Sequence, residues 1–245
     1  MPTLLHKDIG LVKGIAFDSW RRVGGAMQAI KVYNMREVDE LVFLDITATR
    51  DRRQPDFELI DDLADECFMP LAVGGGIKGV EDVRRLLMVG ADKVVVNTAA
   101  VDRPEIVSEI SERFGSQSIV VSIDARVEAG GGHWVYVEAG TRPTGLDPVA
   151  CAQRAAAHGA GEILITSIER DGTMEGYDLD LVRAVAAAVT VPVNASGGAG
   201  NYGHLAEALH AGASAVAAAS IFHFTEQTPR EAKLHLREQG FPVRL

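Results

Sequence analysis

The chain has 245 residues, of which 47% are hydrophobic, and its formal net charge is −10. This length and composition allow a large buried core, whereas the acidic balance argues against a nucleic-acid surface, because no basic stripe is available to neutralise phosphates. No secretory signal opens the sequence and no run of about 18 apolar residues occurs, so we expect a soluble, cytoplasmic protein.

Short apolar segments alternate with amphipathic segments along the whole chain. The apolar segments are mostly continuous, which is typical of strands buried on both faces of a parallel sheet. The predicted strands cover residues 2–5, 41–46, 71–73, 93–97, 119–123, 162–167, 191–195 and 214–219. The predicted helices cover residues 26–37, 57–67, 79–89, 104–114, 147–158, 178–188, 202–210 and 230–239. This alternation predicts an α/β fold, a (β/α)8 barrel forming one domain over residues 1–245, with a doubly wound open sheet as the competing layout.

Three pairs of motifs recur at one fixed offset. Glu40, which opens ELVFLDI, and Glu162, in GEILITSI, are 122 positions apart. The same offset relates AVGGGI to NASGGAG, and GADKVVVNT to GASAVAAAS. Ordinary similarity among α/β chains predicts related composition but no shared offset. We therefore predict an internal duplication, with half-barrels at approximately residues 1–117 and 118–245.

Glycines and hydroxyl residues follow the ends of four predicted strands, on the face where barrel enzymes carry their active sites. Glycine lets an anion approach the backbone, and the start of the next helix offers unpaired N–H groups. We predict two phosphate cradles and hence an elongated ligand with a phosphate at each end, although each glycine cluster alone also fits a tight turn. The cradles are Gly74–Gly76 with Asn97 and Thr98 in the first half, and Gly197, Gly198, Ala219 and Ser220 in the second.

Three aspartates lie at or just after the ends of predicted strands. Asp124 ends the fifth strand, SIVVSID, where partial burial can raise its pKa toward a value useful for catalysis; a capping or salt-bridging role is the alternative. Asp45 either faces the same region or orders the loop after it, and Asp171 is expected to shape a phosphate-binding loop. At the place equivalent to Asp124 the first half has Leu5, so only one of the two acids needed on both sides of a substrate is present.

The two cysteines, Cys67 and Cys151, are far apart, with no histidine or second thiol at metal-ligand spacing. Both are predicted to be ordinary buried thiols of a reducing compartment. The sequence predicts no metal site and no cofactor.

The motifs above, together with FGSQSIVVSIDA, GAGEILITSIERDGTMEGYD and AASIFHF, resemble the cyclase subunit of imidazole glycerol phosphate synthase over essentially the whole chain. The resemblance implies a barrel of duplicated half-barrels that forms a heterodimer with a glutaminase subunit. It also implies that ammonia crosses the barrel centre and meets a bisphosphorylated ribulosyl aminoimidazole intermediate.

The resemblance also assigns roles to individual residues. Asp124 matches one of the family's two catalytic aspartates, and Lys13 matches the lysine of its mobile first loop. One phosphate is expected near Gly76, Asn97 and Thr98, and the other near Asp171, Gly172, Gly198, Ala219 and Ser220. The ammonia gate is expected at Glu40, Lys93 and Glu162, although charges at strand starts also form ordinary salt bridges, and the partner interface at Asp92.

Some positions depart from the family pattern. Leu5 replaces the other catalytic aspartate, and the fourth gate residue, an arginine, would fall before Met1, so a clipped first strand is expected. ADECFMP, GTRPTGLDP and GTMEGYD look closer to a paralogous branch of bacterial surface-polysaccharide loci, where ammonia is used to make acetamidino sugars. We predict an ammonia-channelling subunit of a glutamine amidotransferase with altered cyclase chemistry. The alternatives are a working histidine-pathway cyclase, a non-catalytic barrel that activates a glutaminase, and a related barrel isomerase, against which Leu5 counts.

Overall fold

A computed structural model of the chain describes residues 1–8, 10–128 and 130–245. The described residues form twelve strands, which are β1 (Thr3–Lys7), β2 (Gly10–Ile15), β3 (Asp18–Gly24), β4 (Leu41–Asp45), β5 (Leu71–Gly74), β6 (Lys93–Val96), β7 (Ile119–Val127), β8 (His133–Val137), β9 (Arg142–Pro143), β10 (Glu162–Ser167), β11 (Val193–Ser196) and β12 (Ala215–Val216). The helices of the same part of the chain are α1 (Ala26–Met35), α2 (Phe57–Asp65), α3 (Val80–Met88), α4 (Thr98–Asp102), α5 (Glu105–Phe114), α6 (Pro148–Ala157), α7 (Leu179–Ala188), α8 (Tyr202–His210), α9 (Ser220–Phe224) and α10 (Pro229–Glu238).

Parallel strands form a closed barrel. Hydrogen bonds connect them in the order β1, β4, β5, β6, β7, β10, β11 and β12. The ring closes next to β12, because the backbone N–H of Thr3 donates to the carbonyl oxygen of Ala218 at 2.9 Å. The predicted (β/α)8 barrel is therefore confirmed, and the open doubly wound sheet is wrong.

Two antiparallel hairpins extend the barrel beyond the predicted elements. β2 and β3 continue from β1, and β8 and β9 continue from β7. Each hairpin follows the first strand of one half-barrel, so both project from the face where the strands end. β3, DSWRRVG, is largely exposed and has no continuous apolar run, which explains why the hydrophobic pattern does not reveal it.

The strand register shows which residue of β1 corresponds to Asp124 of β7. Leu5 pairs with Leu44 between β1 and β4, and Asp124 pairs with Thr166 between β7 and β10. Leu44 and Thr166 are separated by the repeat offset of 122 positions. Leu5 and Asp124 therefore occupy equivalent places in the two halves.

Apolar side chains pack on both sides of the barrel wall. The larger cluster lies between the sheet and the surrounding helices and includes Ile30, Val83 and Ile106, which are fully buried. The smaller cluster is formed by Val42, Ala72, Val95, Val120, Leu164 and Ala217. Burying one aliphatic side chain of this size stabilises the fold by about 1.5–3 kcal/mol. Both clusters are needed, because a parallel sheet buries both of its faces.

Several helices begin at side chains that cap them. Asp56, Asp147 and Asp178 each accept a hydrogen bond from the backbone three residues further on, and Thr228 forms a capping box with Glu231. Such caps satisfy backbone donors that the helix itself leaves unpaired. No helix in the described ranges is long and apolar enough to cross a membrane.

Candidate functional site

A cavity opens at the C-terminal ends of the barrel strands. The empty space within it, including the mouth that is open to solvent, is about 1190 Å³. The glycine turns of both predicted phosphate cradles, at Gly76 and Gly198, line this cavity and so share one opening. The predicted site residues that line it are Lys13, Gly76, Asn97, Thr98, Asp124, Asp171, Gly172, Gly198, Ala219 and Ser220.

The first glycine corner is a tight turn against the loop after β4. Gly76 has φ 73°, and a Cβ there would lie 2.9 Å from the carbonyl oxygen of Arg53. Its backbone N–H donates to Thr49 Oγ1 at 3.2 Å. Backbone geometry alone therefore requires glycine here. Thr98 Oγ1 lies nearby in the same cavity wall and accepts from the backbone N–H of Glu138 at 3.2 Å.

The second glycine corner has an unused hydroxyl beside it. Gly198 has φ 113°, and a Cβ there would lie 2.1 Å from the carbonyl oxygen of Gly176, so glycine is again required. Ser220 is 4% exposed, and its Oγ has no hydrogen-bond partner among the described residues. A buried hydroxyl without a partner is costly. Because Ser220 lines the cavity, a ligand oxygen can supply that partner.

Asp124 is a buried acid in the cavity wall. It is 9% exposed, and Asn97 Nδ2 donates to its Oδ2 at 3.2 Å. Burial and, to a smaller extent, the charge of Asp171 raise the pKa of Asp124 to about 7, against opposing hydrogen bonds from Ser122, Thr166 and Asn97. Within the described chain Asp124 forms no ion pair and caps no helix. The carboxyl can therefore hold or release a proton near neutral pH, as acid–base catalysis requires.

Lys13, which the family resemblance matches to the lysine of the first loop, is buried in the hairpin that follows β1. It lies within β2, is 2% exposed, and its Nζ is 2.5 Å from Asp171 Oδ2. The backbone carbonyl of Asp171 also accepts from the N–H of Ala16 at 2.8 Å. A buried ammonium needs such a counter-charge, and the pair fixes the β2–β3 hairpin to the loop after β10.

The β1 side of the cavity lacks a titratable group from that strand. β1 contributes Thr3 and Leu5, both 8% exposed. The hairpin that follows adds Phe17 and Trp20, which the sequence did not suggest for the site. The only signal for them is that two aromatic side chains stand in an otherwise polar segment.

Asp45 orders the loop that follows it. Its Oδ1 accepts hydrogen bonds from the backbone N–H groups of Thr47 and Ala48, at 3.0 Å and 2.9 Å. Its Oδ2 lies 3.3 Å from Arg53 Nη1. Asp45 also lines the cavity, so both of the placements that the sequence left open for it are present.

Charged side chains meet at the opposite end of the barrel, where the strands begin. Lys93 Nζ lies 2.7 Å from Glu40 Oε2 and 2.6 Å from Glu162 Oε1. Burial lowers the pKa of Lys93, but hydrogen bonds and attraction to the two glutamates outweigh burial and raise it, so the ammonium stays charged. Asn194 Nδ2 also donates to Glu162 Oε2 at 2.7 Å. The sequence analysis missed Asn194, although a single amide within the apolar run VPVNA is a visible signal.

The inner apolar cluster connects this charged end with the cavity. Val95 and Leu164 follow Lys93 and Glu162 by two positions, so they point to the same inner face of their strands. Val95, Leu164 and Ala217 also line the cavity. An apolar column of small and medium-sized side chains therefore runs from the charged end to the cavity floor.

The face around the charged end carries exposed apolar side chains. Met35, Phe68 and Met88 are 77%, 84% and 71% exposed, and each lies shortly before a barrel strand. We call these three residues the lower apolar patch. Phe68 is held in place by Asn34, whose Oδ1 accepts from the Phe68 N–H at 3.1 Å and whose Nδ2 donates to the carbonyl oxygen of Glu66.

Asp92 lies on the same face and has a structural partner. The residue is exposed, and its Oδ2 accepts from the backbone N–H of Leu71 at 2.8 Å. This contact fixes the start of β5. Its role at a partner interface stays a prediction.

The cysteines are unpaired, and burial raises the pKa of both thiols. Cys151 is buried, but Cys67 is only partly so, with its Sγ donating to the carbonyl oxygen of Met69. Across residues 1–8, 10–128 and 130–245 no group of three or more His, Cys, Asp and Glu residues is arranged to hold a metal ion.

The fold is a (β/α)8 barrel with a cavity at its strand ends, and Asp124 in the cavity wall has a pKa of about 7. These features define the class of the protein as a barrel enzyme. The chain belongs to the histidine biosynthesis protein family, whose model matches residues 4–228. Members of this family are in general isomerases and cyclases of histidine biosynthesis.

Proposed function

We propose that this chain is the ammonia-channelling barrel subunit of a glutamine amidotransferase, that it binds a phosphorylated ligand, and that it belongs to the paralogous acetamidino-sugar branch with altered cyclase chemistry. The observation that carries the proposal is the pair of contacts from Lys93 to Glu40 and Glu162 at the start of the barrel, opposite the cavity. A barrel isomerase has no need of a charged ring at that end.

The apolar interior supports passage of ammonia. Neutral ammonia is small and sheds water at low cost compared with ammonium, so an apolar column favours the neutral form. The ring at the entrance blocks bulk water and ions while its ion pairs are closed. Opening one Lys93 contact would admit ammonia to the column formed by Val42, Val95 and Leu164.

The lower apolar patch supports a partner at that entrance. Large exposed apolar side chains that are rigidly presented are typical of interface anchors. Asn34 fixes the backbone of Phe68, so little backbone freedom is lost when a partner covers the Phe68 side chain. We place the glutaminase on this face, with Asp92 at the rim.

The cavity supports a ligand with phosphate at each end. Gly76, Asn97 and Thr98 would hold one phosphate, and Gly198 with Ser220 the other. The overall charge of −10 offers no attraction to anions, so local donors must provide it. In this scheme Lys13 is the cation that a ligand oxygen shares with Asp171.

Leu5 is the reason for proposing altered chemistry. Asp124 can transfer one proton at its own side of the ligand, but its equivalent in β1 is an alkyl chain. Loss of a required acid or base typically lowers a rate by about 10²–10⁴-fold. Ring closure that needs two acids should therefore be weak, whereas delivery of ammonia does not need the second acid.

The second candidate is a working cyclase of histidine biosynthesis. The pKa of about 7 at Asp124 favours it, because one functional acid–base group is in place. The barrel isomerase shares the cavity but also needs two acids, so Leu5 counts against it as well.

A single-turnover assay separates these functions. The barrel, an ammonium salt and the ribulosyl aminoimidazole intermediate are mixed, and imidazole product is followed. We expect turnover at least about 10²-fold below that of a two-acid cyclase run in parallel. Rapid turnover would instead establish the working cyclase.

A second assay addresses the partner. Glutamine hydrolysis by a histidine-pathway glutaminase subunit is measured with and without the barrel. Stimulation without cyclisation supports a channelling or activating subunit. The proposal would be contradicted if the barrel converted the substrate of the related barrel isomerase and had no effect on the glutaminase.

A further inference from the structure

Asn194 is a buried amide in an otherwise apolar stretch of β11. It is 2% exposed, and its Nδ2 donates to Glu162 Oε2 at 2.7 Å. The other oxygen of Glu162 accepts from Lys93 at 2.6 Å. Both oxygens of Glu162 are therefore engaged, and the three side chains form a continuous chain of hydrogen bonds.

The repeat shows that the other half lacks this arrangement. The repeat offset of 122 positions that relates Glu40 to Glu162 also relates Ala72 to Asn194. Ala72 has no side-chain donor, and Glu40 Oε1 is buried with no hydrogen-bond partner among the described residues. Glu40 thus makes one contact with Lys93, through Oε2 at 2.7 Å, where Glu162 is held from two sides.

We propose that Asn194 is a positioning residue and the fourth member of the gate, which holds Glu162 so that Lys93 remains bound to it when the contact with Glu40 opens. The gate is then asymmetric, with a fixed arm through Glu162 and Asn194 and a movable arm through Glu40. The assignment of a gate rests on the proposed function, whereas the positioning of Lys93 does not.

The environment of Glu40 agrees with this asymmetry. Burial raises the pKa of Glu40, although its hydrogen bond and attraction to Lys93 oppose the rise. A buried carboxylate with one unsatisfied oxygen is the less favourable partner for a cation. Hydrogen bonds to ionised groups are stronger than those between neutral groups, so the amide of Asn194 is well placed to fix Glu162.

The test measures how accessible Lys93 is in the isolated barrel. An amine-reactive acylating reagent is added to the folded protein, and the labelling rate of each lysine is followed by peptide mass spectrometry between pH 8 and pH 12. Lys31, whose side chain is 55% exposed, serves as the internal reference. Wild type, Asn194→Leu and Asn194→Ala are compared.

Loss of the amide should free Glu162 and, with it, Lys93. We expect the labelling rate of Lys93 to rise about ten-fold relative to Lys31, because a hydrogen bond to a charged group is worth roughly that factor or more. We also expect the pH midpoint of Lys93 labelling to fall, since a displaced Glu162 no longer favours the ammonium. A mere packing defect would not move that midpoint.

Ser167→Ala is the matched control. Ser167 lies on the same strand as Glu162, is buried, and its Oγ has no partner in the described part of the chain. Its removal should leave both the rate and the midpoint at Lys93 unchanged. Asn194→Ala adds no volume, so the same measurement can be made on this variant if Asn194→Leu does not fold.

Unchanged rate and midpoint in the folded Asn194 variants would overturn the proposal, and Asn194 would then be a packing residue. The assay contains no glutaminase and no ligand. A response at Lys93 together with a failed glutaminase assay would therefore reject the ammonia-channelling function while leaving the positioning role of Asn194 established.

Discussion

Asp124→Asn should make the protein more stable at alkaline pH, because it removes a buried ionisable group. Asp124 is 9% exposed, and the pKa of its carboxyl is raised from 3.8 to about 7, first of all by burial. The folded protein therefore keeps this proton over a pH range in which the unfolded chain has already released it. The contribution of Asp124 to the free energy of unfolding is therefore fully present at low pH, and it is lost as pH rises from about 4 to 7.

The size of the effect follows from the two pKa values. The difference between 3.8 and about 7, at about 1.4 kcal/mol for each pH unit, corresponds to roughly 4 kcal/mol above pH 7. Roughly 2–3 kcal/mol of that cost develops between pH 5 and pH 8. An asparagine has a similar shape and no charge, so the variant should escape this cost.

Urea denaturation at pH 5 and pH 8 tests this reasoning. The free energy of unfolding of Asp124→Asn minus that of the wild type should increase by roughly 2–3 kcal/mol between the two pH values. Asp180→Asn is the control, because its side chain is 92% exposed and its removal changes the net charge equally. An equal pH dependence in wild type and Asp124→Asn would refute a raised pKa at Asp124.

Three further substitutions test other parts of the molecule. Leu5→Asp should raise cyclisation in the single-turnover assay by about 10²-fold or more if the rest of the site is intact, whereas no gain would show divergence beyond this residue. Lys13→Met should lower the free energy of unfolding by about 3–5 kcal/mol, since it leaves Asp171 buried without its partner; a loss below about 1 kcal/mol would mean that the pair is not formed. Phe68→Ala should weaken glutaminase binding at least about ten-fold while changing stability by less than about 0.5 kcal/mol, and unaltered binding would remove the lower apolar patch from the interface.

The hydrophobic pattern was sufficient to predict the barrel. Every predicted strand and helix has a counterpart in the structure, because strands buried on both faces leave continuous apolar runs such as Ile119–Val121. The two hairpins were missed. β3 is largely exposed, so its sequence lacks the pattern of a buried strand. β2 and β8 are mostly buried but short, and the sequence analysis left them unassigned.

The candidate site was predicted where local motifs define it and missed where distant residues meet. Gly76 and Gly198 are marked by their turns, and Asp124 by its place at a strand end. The contact between Lys13 and Asp171 joins residues far apart in sequence, and nothing local in either segment indicates it. Asn194 was overlooked although a lone amide in an apolar run is a local signal; its partner, Glu162, lies on another strand and could not be inferred from the sequence.

Glutaminase activity that co-purifies with the chain is the most direct test of ammonia channelling. The tagged protein is isolated from its native cells, and glutamate formation from glutamine is measured in the eluate. We predict activity with the wild type and a large loss with Phe68→Ala, which changes only an exposed side chain of the lower apolar patch. No activity above that of an unrelated tagged protein would contradict an ammonia-receiving subunit.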